Sequence, residues 1–159
     1  MYNQNMGEYD MDLVEIYTDG SCLYNPGPGG WAAILVCRGR EKTISGGEPE
    51  TTNNRMELQG AIAAFSALKK PCRVVFCSDS RYVIEGLSRN WAKGWRLRGW
   101  KKSDGKPALN IELWDKLLEL TELHEIEYVW IKGHAGHPYN ERCDEAARKE
   151  ASKYLKEET

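Results

Sequence analysis

Four acidic residues stand where carboxylates do chemistry rather than solvate a surface: Asp19, Glu57, Asp79 and Asp144. Asp19 closes the stretch Val14-Glu15-Ile16-Tyr17-Thr18 and precedes Gly20-Ser21. Asp79 closes Arg73-Val74-Val75-Phe76-Cys77-Ser78 and precedes Ser80. Each is a carboxylate at the end of an apolar strand, where sites gather in α/β sheets. Glu57 falls in the first turns of a predicted helix, and Asp144 early in the last one. Carboxylates crowded together repel and raise one another's pKa, and a cation relieves that repulsion. An all-oxygen donor set selects Mg²⁺ or Mn²⁺ over zinc. Two such ions about 4 Å apart stabilise both the attacking and the leaving oxygen of phosphodiester hydrolysis.

The elements that must carry these residues follow from period and punctuation. Leu13–Asp19, Trp31–Arg38 and Glu41–Gly46 read as three strands of an antiparallel meander, with Asn25–Gly30 and Arg38-Gly39-Arg40 as turns. Thr51-Thr52-Asn53-Asn54 is a run of helix-capping residues. Leu58, Ile62 and Phe65 then recur at helical spacing, which predicts a helix over 53–69 that Pro71 closes. The segment 73–78 is apolar enough to be a strand buried on both faces. Helices are predicted at 80–87, 111–123 and 140–155, and a fifth strand at 126–132. The order β-β-β-α-β-α-α-β-α predicts an α/β fold: a mixed five-stranded sheet with helices packed on both faces. Asp19 and Asp79 meet only if strands one and four are neighbours.

With 159 residues, the chain suits one domain over 13–159, and the polar, acidic residues 1–12 read as an extension. No apolar run approaches the roughly 20 residues that span a bilayer, so the cytoplasm is the default compartment, with no membrane partner and a monomeric state. Five cysteines, an odd number without C-x-x-C spacing, read as reduced thiols rather than a disulfide framework or a zinc site.

The net charge of −2 conceals an asymmetry. Seven basic residues (Arg89, Lys93, Arg96, Arg98, Lys101, Lys102, Lys106) and one acid, Asp104, make the segment 89–106 +6 on a body of −8. Trp91, Trp95 and Trp100 interleave with these cations. Cations pair with phosphates and aromatic faces stack on sugars or bases, so this protrusion is a candidate nucleic-acid grip. His134 lies in the loop Gly133-His134-Ala135-Gly136-His137-Pro138, and an imidazole titrating near neutrality suits proton transfer. His124 reads as a surface residue.

Several motifs occur in order: Thr18-Asp19-Gly20-Ser21, Asn25-Pro26-Gly27-Pro28-Gly29-Gly30, Thr52-Asn53-Asn54-Arg55-Met56-Glu57-Leu58, Asp79-Ser80, Lys132-Gly133-His134-Ala135-Gly136-His137 and Asn140-Glu141-Arg142-Cys143-Asp144. Together they resemble type I ribonuclease H of the bacterial kind over residues 13 to 150. The resemblance implies a ribonuclease H-like fold. It implies Asp19, Glu57, Asp79 and Asp144 as catalytic metal ligands for Mg²⁺, with Mn²⁺ a possible substitute. It also implies endonucleolytic cleavage of the RNA strand of an RNA/DNA hybrid, leaving 5′-phosphate and 3′-hydroxyl ends. His134 would protonate the leaving group or assist product release. Asn53 and Asn54 would read the ribose and base, beside the backbone around Cys22. Thr52 and Asn25 would hold a phosphate of the DNA strand, and the basic protrusion would grip that strand. Arg81, counted among the substrate-binding residues, departs from the pattern: relatives commonly carry an amide residue there that touches the RNA, and an arginine could still meet a phosphate or a base edge. The complete acid set disfavours a nucleic-acid-binding module with a dead site. The protrusion and the histidine loop disfavour an exonuclease or strand transferase of the same fold.

Overall fold

The structure is a computed structural model that describes residues 11–132 and 136–156. Five strands form one sheet: β1 (Leu13–Cys22), β2 (Gly27–Cys37), β3 (Arg40–Thr51), β4 (Arg73–Ser78) and β5 (Glu125–Trp130). The helices among the described residues are α1 (Asn53–Ser66), α2 (Arg81–Ser88), α3 (Trp91–Leu97), α4 (Ile111–Thr121) and α5 (Pro138–Lys156). The sheet order is β3-β2-β1-β4-β5. The meander β1-β2-β3 is antiparallel, and β4 and β5 add parallel to β1's free edge. The fold is therefore the mixed five-stranded α/β architecture that the sequence predicts, and β1 and β4 are neighbours.

The period-2 alternation of β1 distributes its side chains between two cores. Val14 and Ile16 join Val74, Phe76, Leu58, Ala61 and Phe65 on the α1 side. Tyr17 joins Ala32, Ile34, Cys77, Cys143 and Ala147 beneath α5. β4 contributes to both clusters, as its near-continuous apolar run requires. Trp114 of α4 is fully buried in the larger core, and its indole N–H donates to the Tyr82 hydroxyl at 2.8 Å. Its apolar burial contributes up to about 5 kcal/mol, with the indole's one polar group satisfied. No described helix is long and apolar enough to cross a membrane.

Several boundaries depart from the sequence reading. β1 runs on to Cys22, past the predicted Asp19, so Asp19 lies within the strand opposite Ala32 of β2. β2 begins at Gly27, inside the segment that reads as a turn. The glycines there allow close approach: a Cβ on Gly30 would lie 2.1 Å from the Ala147 carbonyl oxygen of α5. β3 extends to Thr51, beyond the predicted Gly46, because its polar residues occupy an edge with an exposed face. The basic segment contains a helix of its own, α3, absent from the predicted element order. His124, read as a surface residue, is half-buried; its Nδ1 accepts the Cys72 N–H at 3.0 Å, and burial lowers its pKa. Asp12, at the edge of the predicted extension, pairs with Arg38 and Lys70.

Gly30→Ala is expected to force α5 off the sheet and cost about 2 kcal/mol, read as a lower urea midpoint. An unchanged midpoint would show that α5 can shift freely at this crossing.

Candidate active site

The parallel register aligns Thr18 of β1 with Ser78 of β4, so Asp19, still within β1, and Asp79, just past the end of β4, are the next residues side by side. Glu57 reaches them from the start of α1. Thr52 caps that helix, its Oγ1 accepting the Arg55 N–H at 3.2 Å. Gly20 sets the approach: a Cβ there would lie 2.5 Å from the Glu57 backbone nitrogen. Any side chain at position 20 would push the helix, and Glu57 with it, away from Asp19. As placed, Asp19, Glu57 and Asp79 each offer an oxygen within 4.8 Å of the other two. Asp144 comes from α5 on the other side of β1, close enough to share a proton with Asp19. The same carboxylate accepts from Arg148, one turn on, at 2.9–3.0 Å. The Cys143 thiol donates to the Tyr17 carbonyl at 3.4 Å and fixes this turn of α5 to the strand.

The cluster is electrostatically costly without a cation. Asp19 is 3% exposed, and burial, then Asp79 and Asp144, push its carboxyl up to about 8. Glu57 is held well above the usual carboxylate range by burial and then by Asp19 and Asp79. The Gly20 N–H, donating to Asp19 Oδ1 at 2.9 Å, offsets only part of this. Asp19 Oδ2 and Glu57 Oε1 are buried and accept no hydrogen bond. A buried oxygen without a donor is destabilising unless something supplies positive charge. An all-carboxylate donor set with orphaned oxygens fits a hard divalent cation.

The flanks are braced. Ser80 caps α2 by accepting the Val83 N–H at 3.2 Å, and its own N–H donates to Ser78 Oγ at 3.0 Å. The Trp130 indole donates to the Asp79 carbonyl at 3.1 Å. Arg55 bridges α1 to α4, with Nη1 on Asn110 Oδ1 at 3.2 Å and Nη2 on Glu112 Oε2 at 3.3 Å. Asn110 in turn donates to the Tyr82 hydroxyl at 3.1 Å. Sequence reasoning assigns no role to Arg55 or Trp130. A cation in the first turn of a helix, against the dipole preference, is the signal that marks Arg55.

The predicted substrate-contacting residues divide by what already holds them. Asn25 Oδ1 accepts the Asn53 N–H at 3.0 Å, and Asn53 and Asn54 are exposed beside Glu57. The Cys22 thiol donates to the Thr51 carbonyl at 3.2 Å and ties the end of β1 to the entry of α1. In the basic segment, Trp95 stacks edge-on against Trp114 at 5.7 Å, and Trp100 packs on the same core. Arg96 pairs with Glu122 at 2.6 Å and fastens the protrusion to the body. Trp91, Lys93, Arg98, Lys101 and Lys102 remain exposed. A groove of about 600 Å³ runs between Asn54 and the protrusion, lined by Tyr82, Trp91, Trp95, Arg98 and Lys102. His134 lies outside the described residues.

Comparison with known proteins matches residues 11–152 to the RNase H family model. A Ribonuclease H of Escherichia coli O139:H28 is 56% identical over 146 residues, covering 92% of this chain and 94% of that protein. A Ribonuclease H of Nitratidesulfovibrio vulgaris is 53% identical over 142 residues, covering 89% and 91%. Among solved structures, LC9-RNase H1, a type 1 RNase H with the type 2 active-site motif, aligns with a TM-score of 0.79 at 36% identity. That alignment covers 91% of this chain and 74% of LC9-RNase H1. LC11-RNase H1 in complex with RNA/DNA hybrid aligns at 0.65 over 89% of this chain and 99% of its own; at 22% identity it supports the fold alone.

The raised carboxyls make stability depend on pH in a definite sense. The folded Asp19 carboxyl, at about 8, lies above its ordinary 3.8, so its stability contribution is complete below about pH 4 and lost as pH rises through 8. Asp19→Asn removes that loss. In EDTA at pH 9 it is expected to be more stable than wild type by about 2 kcal/mol or more, the gap closing toward pH 4, as read by urea unfolding. A gap independent of pH would rule out the buried and crowded Asp19 charge as its source.

Proposed function

The chain belongs to the ribonuclease H family, and from that premise we propose that Asp19, Glu57, Asp79 and Asp144 are the catalytic carboxylates of its metal-dependent RNA/DNA-hybrid endonuclease activity. The observation that carries the assignment is the convergence of three acids with two buried oxygens that accept no hydrogen bond. Mg²⁺ is the ion we assign, with Mn²⁺ as substitute, because every donor in the cluster is a carboxylate oxygen. Divalent ions held there supply charge stabilisation for the attacking and leaving oxygens of phosphodiester hydrolysis, as is general in the family.

The chain's own residues do the rest. Asp19 and Asp79, side by side on adjacent strands, fix the position of the scissile phosphate. Glu57 closes the cluster from α1, and Asp144 faces it from α5. The adjacent Asn53 and Asn54 side chains offer both donors and acceptors, which suits reading 2′-hydroxyls across the shallow minor groove. Thr52 and Asn25 use their oxygens to cap α1, which leaves a hydroxyl proton and an amide NH₂ for a phosphate of the DNA strand. His134 donates a proton to the leaving 3′-oxygen, so the product ends are 5′-phosphate and 3′-hydroxyl. Lys93, Arg98, Lys101 and Lys102, with Trp91, hold the DNA strand along the groove that begins at Asn54. We assign residues 12–159 to one catalytic domain, with Asp12 paired onto it, acting as a monomer in the cytoplasm.

With Mg²⁺, labelled RNA paired with DNA is expected to show internal cuts, while double-stranded RNA and DNA stay intact and EDTA stops the reaction. Asp79→Asn should abolish cleavage yet keep hybrid binding, since removing negative charge does not oppose phosphate approach. Trimming from the RNA ends, or cutting of duplex DNA, would overturn the reading. Replacing Lys101 and Lys102 by alanine is expected to weaken hybrid binding and flatten its log–log salt dependence by about 2, one for each phosphate contact. An unchanged slope would place the protrusion off the substrate.

A further inference from the structure

Arg81 is the residue that departs from the family pattern, and the structure gives it a specific support. It is the first residue of α2, immediately after the Ser80 cap, so its backbone is fixed beside Asp79. Its side chain is exposed, and the guanidinium carbon sits 4.5 Å above the centroid of the Trp130 ring. Trp130 closes β5, paired with Ser78 of β4, and its indole N–H is committed to the Asp79 carbonyl. One ring therefore supports Arg81 with its face and holds the Asp79 corner with its edge.

A guanidinium stacked on an aromatic ring uses its face and keeps its in-plane N–H donors for other partners. Those donors form a fork that matches the oxygens of a phosphate. Trp130 covers one face of the group, and the in-plane donors it leaves free match a phosphate's oxygens better than a stacked base. The acid cluster next to it also repels a polyanion, so a cation at its border offsets that repulsion where the cut strand must lie. Given the function proposed above, we propose that Arg81 clamps a phosphodiester of the RNA strand next to the one hydrolysed, and that Trp130 is its positioning residue. A phosphate carries no base identity, so this contact grips the strand at any sequence, where an amide would touch a base or ribose.

The test is steady-state kinetics and hybrid binding across a salt series for wild type, Arg81→Ala, Arg81→Lys, Trp130→Leu and Trp130→Phe. Arg81→Ala is expected to raise KM about tenfold, leave kcat within about twofold, and flatten the salt slope by about 1. Arg81→Lys should keep the slope but only part of the affinity, because an ammonium lacks the planar fork. Trp130→Leu should raise KM as Arg81→Ala does and also lower kcat through the lost Asp79 contact, and the double variant should raise KM no further. Trp130→Phe keeps a face beneath the guanidinium but loses the N–H on the Asp79 carbonyl, so its KM should stay near wild type while kcat falls. Arg81→Ala with wild-type KM and slope, in an enzyme that still cuts hybrid, would overturn the clamp and leave the function standing. Additive effects of Arg81→Ala and Trp130→Leu on KM would overturn the positioning role. A wild type that fails to cut hybrid would overturn the function and the clamp together. A purely packing role would move thermal stability and leave the salt slope unchanged.

Discussion

Burial of carboxylates that also repel one another, where β1 runs beside the end of β4, is the constraint that the rest of the structure answers. A fold left to itself would separate Asp19, Glu57 and Asp79 or leave them to water. Here Asp19 is 3% exposed and its carboxyl is pushed up to about 8. Nothing local favours that arrangement, so it must be enforced by elements whose stability comes from elsewhere. The two cores on either face of the sheet supply it: Trp114, Phe65 and Phe76 on one side, Ile34, Cys143 and Ala147 on the other.

Enforcement works through backbone more than through side chains. The β1–β4 register places two acids at once, since a parallel ladder cannot move one strand end without the other. Gly20 lets α1 close to contact distance, and the Thr52 cap defines where that helix begins. Arg55 then ties the same turn to Asn110 and Glu112 of α4. Its cation opposes the preference of a helix start for negative charge. The structure accepts this because Asn110 and Glu112 give the guanidinium oxygen partners in a position that braces Glu57.

How much of this is legible in the sequence depends on the range of the interaction that determines it. Asp19 and Asp79 stand out because an apolar strand that ends on a carboxylate is a local pattern. Glu57 follows from the capping run before it, and Asp144 from its motif. The sheet order was legible in class, since a meander followed by alternating helices and strands leaves few topologies. The strand at Gly27–Gly30 was not. Dense glycine and proline read as a turn, and only the α5 backbone lying against Gly30 explains why small residues belong in a strand there. His124 misleads for the same reason: its acidic neighbours in sequence suggest solvent, while its ring packs on Phe65, 5.8 Å away. Trp130 reads as one more strand residue until its N–H is seen on Asp79.

The basic protrusion shows the same division within one segment. Its charge of +6 is a sequence fact, yet the charges are not equivalent. Arg96 is bound to Glu122, and Arg89 pairs with Glu85 at 3.1 Å. Arg96 holds the protrusion on the body, with Trp95 seated against Trp114 beside it, while Arg89 pairs locally, one turn along α2. The exposed cations, Lys93, Arg98, Lys101 and Lys102, occupy the outer side and the groove. An element that carries a polyanion must resist being pulled away by it. Ion pairs that anchor the inner face let the outer face present charge without loosening the fold. On an acidic body the protrusion's field is directional, so it orients an approaching duplex as well as attracting it. The groove reaches from Arg98 and Lys102 to Asn54, one helical turn before Glu57 in α1, so the cations that attract the polyanion and the acids that repel it lie apart.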